Sequence, residues 1–281
     1  MSLLRIEDLR VSYPSPTGPV EVLHGVNLDV PAGSRVALVG ESGSGKSVMA
    51  RAILRLDAEA TTTGSIELSG TELLALPAKQ IRAVRGSRVG LVFQDPLSSL
   101  NPVMTIGWQI MQPLVIRGVS KREARRRGTE LLEQLGVQQA ARRFDDYPHQ
   151  FSGGMRQRVV IAIAVIAEPE LLIADEPTTA LDVRVQAQVL ELLTNLADER
   201  GMAVLLITHD LGIVAGFAES VAVMRHGSVV ERGATDDIYY RPQARYTRGL
   251  LGAVPRIDAD PSVWLVTVPE SDEQPSQTST P

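Results

Sequence analysis

Short runs at 89–93, 171–174, 203–207 and 221–224 are almost wholly apolar, and the stretch 35–39 is apolar after Arg35. Runs without a polar face read as strands buried on both sides. Their separation by helical segments predicts a parallel sheet covered by helices. Residues 3–12 and 20–30 read as two further strands around Tyr13-Pro14-Ser15-Pro16-Thr17-Gly18-Pro19, a turn-forming segment, and another pair falls at 64–68 and 69–71. These predict a small antiparallel sheet beside strand 35–39. His226-Gly227 reads as a hairpin turn between 221–224 and 228–231.

Between Phe93 and Leu171 the strand pattern stops. Ser120-Lys121-Arg122-Glu123 reads as a capping box, and Leu131, Leu132 and Leu135 give the following helix one apolar side before Gly136 stops it. Val185, Val189, Leu192, Leu193 and Leu196 recur at helical spacing until Gly201 supplies a C-cap. Residues 95–155 are expected to be a helical insertion in the sheet domain. The tail from 269 to 281, rich in Ser, Thr, Pro, Gln and acid, is expected to be disordered.

Composition narrows the field. The 281 residues are 44% hydrophobic but only 4% aromatic, so the core must be aliphatic. A formal net charge of −5 leaves no global basic footprint for nucleic acid. With 0 cysteines this sequence holds no disulfide and no thiolate-bound zinc or iron–sulfur cluster. The N-terminus carries acid and no long apolar core, unlike a signal peptide, and the longest apolar run, 159–167, is about half a membrane span. The basic run 121–127 is expected to be a solvated helix face.

The chemistry centres on Gly40-Glu41-Ser42-Gly43-Ser44-Gly45-Lys46-Ser47, set between the 35–39 strand and the helical run that starts with Val48. Glycines at 40, 43 and 45 are expected to permit positive φ and leave no Cβ in the way, so that backbone N–H groups turn inward around an oxyanion. A helix starting near Lys46 aims its unpaired N–H groups at the same point. Lys46 then reaches β- and γ-phosphates and the Ser47 hydroxyl ligates Mg²⁺, as in a P-loop. The run Leu171-Leu172-Ile173-Ala174-Asp175-Glu176-Pro177 ends a buried strand on the same edge of the sheet. There Asp175 can hold Mg²⁺, while Glu176 can orient or deprotonate an attacking water. A third signal, Phe151-Ser152-Gly153-Gly154-Met155-Arg156-Gln157-Arg158, opens the helix at 159–167 and forms a second anion-binding helix end.

The octet 40–47, Gln94, Ser152-Gly153-Gly154, Asp175-Glu176, Asp182 after Ala180-Leu181, and His209 in Ile207-Thr208-His209-Asp210 together resemble the nucleotide-binding domain of ATP-binding cassette transporters. The resemblance implies an α/β P-loop NTPase fold, with a RecA-like parallel core sheet, an antiparallel β subdomain and an inserted α-helical subdomain. It also implies that two such domains face each other head to tail, the P-loop of one and the Ser-Gly-Gly loop of the other clamping a single ATP. By the same resemblance Tyr13 stacks on adenine, and Gln94 meets Mg²⁺ and the attacking water and senses the membrane subunit. His209 contacts the γ-phosphate, and Asp182 links the two sites.

The stretches 93–102, 147–158, 174–183 and 246–256 are similar to the oligopeptide/dipeptide permease ATPases, a branch that also contains nickel importers. Met155 stands where the usual fifth signature residue is Gln, which removes a polar side chain but leaves the backbone donors. The Cys-rich segment of many relatives is missing from the sequence, so no cluster is expected. The implied boundaries are 1–94 and 156–235 for the core, 95–155 for the helical subdomain, 236–268 for a C-terminal extension and 269–281 for the tail. The implied partners are a second homologous ATPase forming a heterodimer, two transmembrane permeases and an extracytoplasmic solute-binding protein, at the cytoplasmic face of the membrane. Peptide versus nickel rests on analogy. The rivals are a soluble cassette ATPase acting on nucleic acid or ribosomes and a nucleotide sensor without turnover.

Overall fold

The computed structural model describes residues 2–179 and 181–253, Leu97 by its backbone alone. The first two strands are β1 (Ser2–Tyr13) and β2 (Val20–Pro31), and β3 (Arg35–Val39) leads through the glycine-rich octet into α1 (Lys46–Ile53). Next come β4 (Thr61–Leu68), β5 (Thr71–Glu72), α2 (Ala78–Val84) and β6 (Val89–Val92). A run of helices follows: α3 (Pro96–Ser99), α4 (Ile106–Val115), α5 (Lys121–Gln134), α6 (Ala140–Arg143) and α7 (Gly153–Val165). The chain then forms β7 (Leu171–Asp175), α8 (Val183–Arg200), β8 (Ala203–Thr208), β9 (Ser220–Arg225) and β10 (Ser228–Ala234), and ends its described part in α9 (Thr235–Tyr240) and α10 (Arg245–Gly252).

These strands make an antiparallel sheet ordered β2-β1-β4-β5 and a six-stranded sheet ordered β10-β9-β3-β8-β7-β6. All pairs of the second sheet run parallel except β9 with β10. That last pair turns at His226 and Gly227, whose φ values of 44° and 74° are the left-handed pair a two-residue hairpin needs. The register pairs Val39 with Thr208 and Asp175 with Ile207, bringing the carboxyl ends of β3, β8 and β7 side by side. Such an edge is where open α/β sheets bind ligands.

The apolar runs lack alternation because both faces of this sheet are covered. Ala37, Val39, Leu172, Ala174, Val204 and Leu206 join one buried cluster with residues of α4, α5, α7 and α8. Their neighbours Val36, Leu38, Leu171, Ile173, Leu205 and Ile207 join the other, with β1, β2, β4 and α1. Successive side chains on a strand point to opposite faces, so one sheet divides the core in two. Each fully buried Leu, Ile or Val contributes roughly 1.5–3 kcal/mol, which favours this covered arrangement.

Within the helical stretch, Phe144 is fully buried. It is met by two glycines: a Cβ on Gly107 would lie 1.9 Å from its ring, and one on Gly128 3.0 Å away. The capping box expected at Ser120 is only half made. The Ser120 hydroxyl accepts from the Glu123 N–H at 3.3 Å. The Glu123 carboxylate, however, is taken by Arg126 and Arg127, whose hydrogen bonds hold its pKa down at about 2. Three arginines of the basic run are therefore paired, Arg126 and Arg127 within α5, with Arg126 also held by Glu130, and Arg125 with Asp145 beyond the helix. Gly136 (φ 75°) follows α5 and Gly201 (φ 60°) caps α8, as their positions suggested. The part of the extension beyond Ala253 and the tail 269–281 lie outside the described residues.

Candidate functional site

The octet wraps the exit of β3. Gly43 and Gly45 have φ of 81° and 105°, the left-handed region that favours glycine. Gly40 meets only half of the expectation, because it is not among the positive-φ residues. It is needed for close approach: a Cβ there would lie 2.1 Å from the Met224 carbonyl oxygen. Gly45 is the N-cap of α1, so the first N–H groups of that helix open into the loop. Lys46 is buried and turns back across the loop. Its Nζ donates to the carbonyls of Gly40 and Glu41, both at 2.8 Å, and to Ser44 Oγ at 3.3 Å. Burial pushes its pKa down, opposed by Glu176, Asp175 and Glu41. The side chain of Val48 packs against the apolar cluster behind α1.

Ser47 Oγ donates to Asp175 Oδ1 at 3.0 Å, bridging α1 and the end of β7. Asp175 is buried, and burial raises its pKa while the Ser47 hydrogen bond lowers it. A hydroxyl and a buried carboxylate at this spacing are the hard oxygen donors that Mg²⁺ takes, the remaining positions belonging to water and phosphate. The donor set therefore fits the ion.

Glu176 follows in the left-handed region, φ 48°, with its N–H donating to Ile207 O at 2.8 Å so that the β7–β8 ladder continues one residue past Asp175. That turn aims its carboxylate at a ring of polar neighbours. Gln94 Nε2 and Thr179 Oγ1 each donate to Oε2 at 2.8 Å, and His209 Nδ1 lies 3.1 Å from Oε1. Residues distant in the chain thus converge on one carboxylate. Thr179 escaped the sequence reading, because a threonine after an acidic strand end has no signature of its own.

Tyr13, at the end of β1, donates its hydroxyl to Asp57 Oδ2. Arg51 Nε on α1 donates to the same oxygen at 2.9 Å. Burial raises the Tyr13 pKa first, and the bond to Asp57 raises it further. Asp57 and Arg51 carried no motif and were legible only in the structure.

The second helix end is α7. Ser152 is its N-cap, its Oγ accepting from the Met155 N–H at 3.4 Å. A Cβ on Gly153 would meet open space, whereas one on Gly154 would lie 2.8 Å from Val185 Cγ1. Asp182 caps α8, accepting from the Val185 N–H at 3.0 Å. Ser152, Gly153, Gly154, Met155 and Asp182 line one open cleft of about 510 Å³, together with Arg143 and Arg158. Arg158 is anchored by Leu135 O at 2.8 Å and Gln188 Oε1 at 3.1 Å. No residue of the Lys46–Glu176 cluster lines this cleft.

The family model described as ABC transporter matches residues 23–179. The chain belongs to the ABC transporter family. A second model, the C-terminal region of oligopeptide/dipeptide transporters, matches residues 230–280 of this ABC chain. It is 46% identical to the oligopeptide transport ATP-binding protein OppD of Bacillus subtilis, over 95% of this chain and 76% of that protein. It is 45% identical to the dipeptide transport ATP-binding protein DppD of Lactococcus lactis, over 95% of this chain and 77% of that protein. Among solved structures it is similar to the ATP-binding cassette MJ0796 in a dimeric, post-hydrolysis state bound to ADP and Pi, with a TM-score of 0.74 and 30% identity, covering 83% of this chain and 98% of that one. The expected P-loop α/β fold and the family resemblance are both borne out, and the ABC chain is an ATPase of that family.

Proposed function

We propose that this chain is the ATP-hydrolysing subunit of an importer of di- or oligopeptides. It would work as a pair with a second homologous ATPase beneath two transmembrane permeases, fed by an extracytoplasmic binding protein. The observation that carries the reading is the separation of two incomplete phosphate-binding helix ends. The P-loop cluster and the Ser152 cleft share no lining residue, so each supplies one wall of a site that another subunit must complete. The similarity to peptide-transport ATPases over most of the chain supports the solute class. No helix among the described residues is long and apolar enough to cross a membrane, which supports attachment through partner subunits.

In this reading ATP exchanges places with the loop carbonyls at Lys46, whose ammonium is already held at the centre of the octet. Loop N–H groups and the α1 N-terminus cradle the phosphates. Ser47 and Asp175, with Gln94 from the end of β6, would hold Mg²⁺, which when bound would supply positive charge against the phosphates. Glu176 accepts the proton of, or orients, the attacking water, with Gln94 and His209 fixing its carboxylate and His209 turning to the γ-phosphate. Ser152, Gly153, Gly154 and Met155 cover the partner's ATP, Tyr13 stacks on adenine, and Asp182 couples the two sites. Phosphoryl transfer asks little covalent chemistry of the protein, so positioning and charge stabilisation suffice.

The test is uptake in a strain lacking this chain, complemented with wild type or Lys46→Ala. Labelled dipeptide uptake should return with the wild type only. Restoration of nickel uptake without dipeptide uptake would overturn the solute class.

A further inference from the structure

The back of the P-loop is walled by the C-terminal part of the chain. Gly40 rests against the carbonyl of Met224 on β9, and Ser44 O accepts from the Gly227 N–H of the β9–β10 turn at 2.9 Å. The third contact comes from α10. The Glu41 N–H donates to the Tyr246 hydroxyl at 3.3 Å, while the Glu41 carbonyl accepts from Lys46. The peptide units at Glu41 are thus held from opposite sides, by the lysine within and by the tyrosine behind.

Tyr246 is itself tightly placed. It is 4% exposed, and the Arg225 guanidinium lies 4.8 Å from its ring centroid. Its helix is fastened at the start, where the Glu231 carboxylate of β10 accepts from the N–H groups of Gln243 at 2.6 Å and Ala244 at 3.0 Å. Both Glu231 and Tyr246 fall in residues 230–280, the segment that matches the peptide-transporter C-terminal region.

We propose that Tyr246 is a positioning residue for ATP binding, its hydroxyl holding Glu41 so that the octet is shaped for phosphate before nucleotide arrives. The C-terminal region then acts on the ATP site directly, through α10. A loop whose backbone donors are fixed in advance loses less freedom on binding than one that must be ordered.

The proposal rests on the octet being the nucleotide site, and the experiment separates the two. Nucleotide titrations would compare the full wild-type chain with Lys46→Ala, Tyr246→Phe and Tyr246→Leu, alongside thermal melts and amide hydrogen exchange at Glu41. Phe keeps the ring against Arg225 and removes only the hydroxyl. The expected result is about five-fold weaker binding of ATP and ADP alike in Tyr246→Phe, the usual scale for one hydrogen bond, with a melt lowered by no more than about 2–4 °C. Exchange at Glu41 should speed up while that at Gly227 does not. Tyr246→Leu should weaken binding at least as much. If Tyr246→Phe restores wild-type affinity and Glu41 protection where Tyr246→Leu loses them, the residue only packs and the proposal is overturned. If Lys46→Ala binds ATP as the wild type does, the site reading itself is wrong.

Discussion

Glu176 leaves β7 in a backbone conformation that costs a non-glycine residue about 1–3 kcal/mol, and it stays there because Gln94, Thr179 and His209 all hold its carboxylate. Glu176→Gln keeps the shape and removes the charge. ATP should still bind and the closed dimer should accumulate, with turnover down by at least about 100-fold, the scale of a lost general base. Phosphate release at the wild-type rate would remove Glu176 from its role. Lys46→Ala leaves the carbonyls of Gly40 and Glu41 without their cation, and nucleotide titration should show ATP binding abolished. Asp57 offers a pH test. Burial alone would raise its pKa, but hydrogen bonds from Tyr13 and Arg51 outweigh it and the value falls below 3.8. A carboxylate with a depressed folded pKa stabilises the fold above its ordinary value and loses that contribution as pH drops through the folded one. Acid unfolding of Asp57→Asn should therefore show a shallower fall below about pH 4 than the wild type. At this scale the motifs pointed to Lys46, Ser47, Asp175 and Glu176, and the fold brings the four together. The sequence concealed Thr179, Asp57 and Tyr246, which reach the site by folding, and of its two reasons for Gly40 only the absent Cβ holds.

Elements were the most readable level. Runs without a polar face announced strands covered on both sides, and Gly136 and Gly201 marked helix ends because only a left-handed residue terminates them cheaply. The capping box at Ser120 misled because Glu123 has a better offer from two arginines than from a backbone N–H. Nor could periodicity show how α4 meets Phe144. The missing Cβ of Gly107 is what lets them touch, so Gly107→Ala should destabilise the protein by about 1–3 kcal/mol in a denaturant titration. Pairing it with Phe144→Leu should return part of the loss. An unaltered midpoint in the single variant would mean that the contact is not made in solution.

In the proposed reading the whole molecule presents two half-sites and closes neither. Turnover per chain should therefore rise with protein concentration, or on adding the homologous partner subunit, as association completes the sites. A constant rate per molecule across a wide dilution series would show that one chain suffices. The parallel core followed from the placement of apolar runs, but the strand order did not, nor did the elements that touch the octet from behind, because α10 comes from the far end of the chain.

Gly90 sets β6 directly on α7. With no side chain there, β6 and α7 lie so close that a Cβ would stand 2.4 Å from the Ala164 carbonyl. Helix α7 bears Ser152 at its opposite end, and β6 ends at Val92, two residues before Gln94. Under the function proposed above, a shift of α7 caused by the partner's nucleotide would therefore meet β6, the strand that leads to Gln94, with no side chain of Gly90 between them.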